Sequence, residues 1–173
     1  MGLPRSARGL LLAAALAAAC SGLEPTPQPT SCPKGFTGIC GTVTFVGSVP
    51  ESTLAVYIVA YETFPHSATD LFTYQPLAPD PLPLDSAQQF YTIPLPNGRY
   101  EWVVAAWLRQ DFTPQGADST LREAGFYRDG ADTTSHGSGI VVVNGTGTDS
   151  IDFVIDFTMM HPIAFYFPVA RQR

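Results

Sequence analysis

Apolar and polar positions alternate with the period of an extended strand over several stretches of this chain, and nowhere with the period of a long helix. In residues 39–46, Ile39, Gly41, Val43 and Phe45 fall on one side and Thr42 and Thr44 on the other. Gly47-Ser48-Val49-Pro50 reads as a turn. Residues 54–61 (LAVYIVAY) are apolar on both sides, the pattern of a central strand covered on each face or of a strand whose outer face is covered by a loop. Residues 90–95 and 99–108 are strand-like and flank Pro96-Asn97-Gly98, where Asn-Gly predicts a tight hairpin turn. In residues 151–157, Ile151, Phe153, Ile155 and Phe157 alternate with Asp152 and Asp156, which predicts one buried and one wet face. Residues 140–143 precede them across Asn144-Gly145-Thr146-Gly147.

Between these stretches the pattern breaks. Residues 62–84 carry Pro65, Pro76, Pro79, Pro81 and Pro83, a density that excludes a regular central strand and leaves at most a short edge strand at 70–74. Residues 110–138 read as a long irregular connection, with one helical turn at Leu121-Arg122-Glu123-Ala124. Residues 159–168 are apolar and predict a final edge strand. The expected fold is all-β: a single antiparallel β-sandwich of about seven strands with a long irregular loop insertion.

The amino terminus adds an address. Arg5 and Arg8 precede an unbroken Leu/Ala run over residues 10–19, too short to span a bilayer as a helix, and then comes Cys20. The segment resembles the signal of bacterial lipoproteins, with Leu16 four residues before the cysteine where that family places Leu at three. The resemblance implies cleavage before Cys20 and lipid on Cys20. The competing reading is an ordinary secretory signal cut after Ala17-Ala18-Ala19. Cysteine parity favours lipid: of three cysteines, Cys32 and Cys40 then remain as an even pair for a disulfide closing a short loop. Ser21 is not the Asp that retains such proteins at an inner membrane, so the resemblance points to an outer membrane. The predicted organisation is a signal at 1–19, a Pro/Thr-rich tether at 20–31, the β-domain at 32–168 and a tail at 169–173.

Charge narrows the partners. The formal net charge is −6, and removal of Arg5 and Arg8 with the signal makes the remainder more acidic still. Nucleic acid, which asks for basic patches, is excluded as a partner. The expected partners are the membrane, through the amino-terminal lipid, and an envelope protein or polysaccharide.

Strand order also resembles the carboxypeptidase regulatory-like, or transthyretin-like, β-sandwich. The likeness is carried by Gly41-Thr42-Val43-Thr44-Phe45, by residues 91–100 (YTIPLPNGRY) and by residues 141–157. That resemblance implies a non-catalytic module and brings no binding site with it.

Catalytic signatures are sparse. His66, His136 and His161 lack metal-ligand spacing and read as lone surface histidines. Ser135-His136-Gly137-Ser138-Gly139 is not a nucleophile elbow. Asp129-Gly130-Ala131-Asp132 offers oxygens to calcium but too few of them. Glu123 with Asp129 or Asp132 is the one carboxylate pair available to a small hydrolase. Asn144-Gly145-Thr146 fits a glycosylation sequon and is better read as a turn. The expectation is therefore no catalytic residue, no metal and no cofactor. Tyr100, Trp102 and Val104 share a face read as core, whereas Trp107, on the other face, is the expected centre of a binding surface with Phe126, Tyr127, Arg128 and Asp129. Exposed aromatics there would suit stacking on sugar rings.

Overall fold

A computed structural model describes residues 29–73, 80–129 and 137–167. The signal, Cys20 and most of the tether lie outside the described residues, as do Asp132, His136 and the tail. The described chain is all-β. Ten strands run β1 (Gly38–Val46), β2 (Thr53–Tyr61), β3 (Gln88–Pro94), β4 (Gly98–Tyr100), β5 (Trp102–Arg109), β6 (Leu121–Phe126), β7 (Val141–Val143), β8 (Gly147–Thr148), β9 (Phe153–Asp156) and β10 (His161–Pro162). Single helical turns stand at α1 (Asp70–Thr73), α2 (Ala117–Thr120) and α3 (Ile163–Tyr166). No helix among the described residues is long and apolar enough to cross a membrane.

One sheet is centred on β1, which pairs with β3 antiparallel on one side and with β8 and then β9 on the other. The pairings with β8 and β9 are parallel, so the sheets are not purely antiparallel as expected, and the strands are more numerous and shorter. The second sheet has the order β10-β6-β5-β2, and β4 and β7 form a separate pair. The two larger sheets share one core. Ile39 and Val43 of β1, Val56 and Ile58 of β2, Val103 and Ala105 of β5, and Phe153 and Ile155 of β9 all bury there. Gly41 allows the close approach of the chain after β8: a Cβ there would sit 2.2 Å from the Ile151 carbonyl oxygen.

The second sheet is covered on its outer face as well. Tyr61, Trp102 and Val104 point away from the main core and join Leu71 of α1, Ala117 of α2 and Ile163 of α3 in a second cluster. This explains why β2 is apolar on both sides although it is an edge strand rather than a central one. Its free edge receives the Leu82 N–H, which donates to the Val56 carbonyl at 2.8 Å.

Residues 159–168, expected as one edge strand, give only the two-residue β10 before the helical turn α3. Three further local expectations fail for physical reasons. Pro96-Asn97-Gly98 does not close a hairpin, because β3 pairs with β1 and β4 with β7. The Tyr100 hydroxyl donates to the Pro96 carbonyl at 2.9 Å and the Asn97 Oδ1 accepts from the Gly145 N–H at 2.6 Å, which turns the chain from one sheet toward the other. Residues 70–73 form the helical turn α1 instead of an edge strand. The Asp70 carboxylate accepts from the backbone N–H groups of His66 and Ser67, and these bonds hold its pKa below the usual carboxylate value. Finally, Leu121-Arg122-Glu123-Ala124 is not helical. It lies in β6, an interior strand paired with β5 and β10, and the turn of helix precedes it at α2.

Candidate functional site

Cys32 and Cys40 are disulfide-bonded, with Cα atoms 5.4 Å apart. The bridge ties the entry of the domain to β1. Asp149 lies beside it and its carboxylate accepts from the Cys32 backbone N–H. These three side chains come close enough to suggest a metal site, but bonded sulfurs are not thiolate ligands.

The expected aromatic surface does not assemble around Trp107. That residue is only 3% exposed, in the core between the sheets, and its Nε1 donates to Thr53 Oγ1 at 2.7 Å. Phe126 and Tyr127, being neighbours on an extended chain, go to opposite sides: Phe126 packs on the outer cluster and Tyr127 on the main core. Burial raises the Tyr127 pKa, with Asp129 and Asp152 adding to it. Arg128 is exposed, with its guanidinium carbon 4.3 Å from the centre of the Phe126 ring, and Asp129 is exposed at the end of the described segment. Arg128 and Asp129 thus remain surface groups, but Trp107 offers them no platform.

A different constellation forms on the outer face. The register of β10 against β6 sets His161 opposite Glu123. Glu123 is buried, and its Oε2 lies 2.7 Å from His161 Nδ1 and accepts the Tyr166 hydroxyl at 2.8 Å. His161 stacks on Phe165 with ring centres 4.2 Å apart. Burial, followed by the nearby Glu123 carboxyl, pushes the Tyr166 hydroxyl well above its ordinary pKa. His161 is therefore not a lone surface histidine. The hydrogen-bond partners of Glu123 among the described residues are an imidazole and a phenol; Asp132, offered with it as a carboxylate pair, lies outside them. A fixed imidazole of this kind orients well, yet no hydroxyl or thiol nucleophile is paired with it among the described residues.

Behind this triad lies a cavity of about 40 Å³ walled by Tyr61, Leu71, Trp102, Val104, Tyr166 and Phe167, with Glu123 and His161 at its polar side. Burial lifts the Tyr61 hydroxyl to about 12, and that hydroxyl donates to the Leu71 carbonyl at 3.1 Å. Trp102 is packed among Tyr61, Phe64 and Tyr166. Its Nε1 has no hydrogen-bond partner, and it is the one buried side-chain nitrogen or oxygen in that condition among the described residues. Glu123 and His161 also border an open groove of about 440 Å³ that runs between β6 and β9, past Phe126, Arg128, Asp152 and Asp156.

Sequence reading placed Trp102 in the core and missed its role as a cavity wall. It also separated Glu123 from His161, which stand 38 positions apart. One signal was present: an acidic residue immediately before the apolar run Ala124-Gly125-Phe126 has to find a donor if it is buried with that run. No family model, no curated protein and no solved structure matches the chain.

Proposed function

We propose that this chain is a bacterial envelope lipoprotein, exported by residues 1–19, lipid-anchored through Cys20 and tethered by residues 20–31, whose β-domain is a non-catalytic binding or structural module. The observation that carries the reading is the Cys32–Cys40 disulfide. It accounts for two of the three cysteines and leaves Cys20, at the end of the apolar leader, as the odd thiol. A structural disulfide also belongs to an oxidising compartment. More than one acyl chain gives stable attachment, because each buried CH₂ contributes about 0.8 kcal/mol. Kinship with the transthyretin-like sandwich belongs to the same proposal and is supported by two stacked sheets around one core. The anchor's destination in this reading is the outer membrane, given Ser21.

The partner in this reading is an envelope protein or a polysaccharide. The polysaccharide has one specific observation in its favour: an aromatic-walled cavity that meets a polar groove at Glu123 and His161. Membrane fractionation and intact mass of the native protein and of Cys20→Ser test the anchor. The expected result is a native mass of the chain from Cys20 plus acyl groups, and release of the variant from the membrane. A variant that stays bound with an unchanged mass overturns lipidation. Co-purification from gently solubilised membranes, read by mass spectrometry, then separates a protein partner from a glycan.

A further inference from the structure

The open groove of about 440 Å³ follows the seam where β6 meets β9. Phe126, Val154 and Met159 give it an apolar strip, and two of these stay open to solvent, Val154 at 49% and Met159 at 66% exposure. An exposed apolar strip rimmed by charge marks a place for a partner. The rim carries the carboxylates of Glu123, Asp152 and Asp156 against one guanidinium, that of Arg128. Glu123 is engaged by His161 and Tyr166, so Asp152 and Asp156 are the carboxylates that face outward. We propose that the groove binds an extended segment of another envelope protein, one in which two basic residues stand four apart with an apolar residue midway. This rests on the binding reading above and, of its two partners, selects the protein.

The spacing comes from β9. Phe153 and Ile155 are buried, so Asp152, Val154 and Asp156 share the outward face. At about 3.3 Å per residue the two carboxylates stand roughly 13 Å apart, with Val154 between them. An extended chain laid alongside has the same rise. Lysine or arginine at its first and fifth positions then meets the carboxylates, and the third position meets Val154. A helix needs about nine residues for that span, which puts its two ends on opposite faces. The carboxylates are also held in place beforehand. Asp152 Oδ1 accepts from the Thr42 N–H at 2.6 Å, and Asp156 Oδ1 accepts from the Thr158 hydroxyl at 2.6 Å and its N–H at 2.8 Å. The Thr158 bonds keep the Asp156 carboxyl below its usual pKa, and so charged. The partner lies over the seam rather than in it. Gly125 packs on the Val154 carbonyl so closely that even a Cβ would stand 2.0 Å from its oxygen, and no strand fits between β6 and β9 there. Nor is the partner a second copy, since no two lysine or arginine residues of this chain stand four apart.

The test uses the full-length, ¹⁵N-labelled protein in mild detergent and follows backbone amide shifts. The probes are capped synthetic peptides with the core KTVTK, the charge-reversed ETVTE, the respaced KKTVT and the serine form KTSTK, with maltohexaose as a neutral glycan. The expected result is that KTVTK moves the amides of residues 124–128 and 152–156 and that ETVTE and maltohexaose do not. KKTVT and KTSTK bind more weakly than KTVTK, and added salt weakens KTVTK. Asp152→Asn and Asp156→Asn each lower its affinity about two- to fivefold, the worth of one exposed ion pair. Asparagine keeps the Oδ1 acceptor, so the circular dichroism of both variants stays that of the native fold. Unmoved amides with KTVTK overturn the proposal. So does equal affinity for KKTVT, native affinity in both asparagine variants, or a response to maltohexaose alone. A partner recovered by co-purification that binds the double variant equally well keeps the binding module and refutes this groove alone. An unlipidated protein that binds KTVTK supports the groove and refutes the anchor alone.

Discussion

His161 Nδ1 lies 2.7 Å from Glu123 Oε2, joining the last short strand to an interior one and closing the cover over Trp102. The Tyr166 hydroxyl shares the same oxygen at 2.8 Å. Glu123→Ala removes the buried oxygen that the part-buried Tyr166 hydroxyl and the half-exposed His161 ring share. The expected loss is about 1–3 kcal/mol of unfolding free energy, measured by urea denaturation. Glu123→Gln, which keeps an acceptor oxygen, costs less. Equal stability of the alanine variant and the native chain would show that the triad does not hold the cover.

Trp107 and Thr53 form the matching contact in the main core. A double-mutant cycle with Trp107→Phe and Thr53→Val isolates it. The coupling expected is about 1 kcal/mol, whereas the same cycle pairing Trp102→Phe with Thr53→Val returns none.

Tyrosines make the fold sensitive to alkali. Burial raises the pKa of Tyr61 to about 12 and drives Tyr91 and Tyr166 higher still. The unfolded chain ionises these phenols near pH 10, before the folded chain does. Their contribution is therefore complete below about pH 10 and is lost as pH climbs toward the folded values. Urea midpoints should stay level to about pH 10, the value of free tyrosine, and fall steadily from there toward about pH 12. Tyr91→Phe, which removes a hydroxyl bonded to the Ile151 carbonyl, should flatten that fall.

Gly125 lies where β6 of the second sheet packs against β9 of the first. Its φ is +150°, and a Cβ there would stand 2.0 Å from the Val154 carbonyl oxygen. Backbone, not a movable side chain, is in the way. Gly125→Ala should destabilise by more than about 1 kcal/mol, seen as a lowered thermal midpoint.

Strands whose burial follows from their own alternation were legible in the sequence. β1 and β9 bury the residues their alternation selects, Ile39, Val43, Phe153 and Ile155. The cysteine pair was legible too, from parity and spacing. β6 was hidden because Leu121, Arg122, Glu123 and Ala124 are good helix formers, and pairing on both sides overrides that preference. The hairpin was misread because Asn-Gly describes a local turn, whereas Asn97 here is used in a contact with Gly145. The two tryptophans lie on opposite faces of the second sheet and both are buried, Trp102 as expected and Trp107 against expectation. Period-two reading separates the faces of a strand but does not tell which face meets the other sheet. Glu123, His161 and Tyr166 came together only through the register of β10 on β6, which no spacing in the chain encodes.

The strand at the amino end of the domain is finished by strands from its carboxyl end: β8 and β9 lie alongside β1. Such long sequence separation slows folding, since a large loop must close before the contact rewards it. A ribosome releasing this chain therefore holds a half-built sheet until β9 has emerged. During that interval the polypeptide stays threadable, the state in which a chain passes through a narrow conduit.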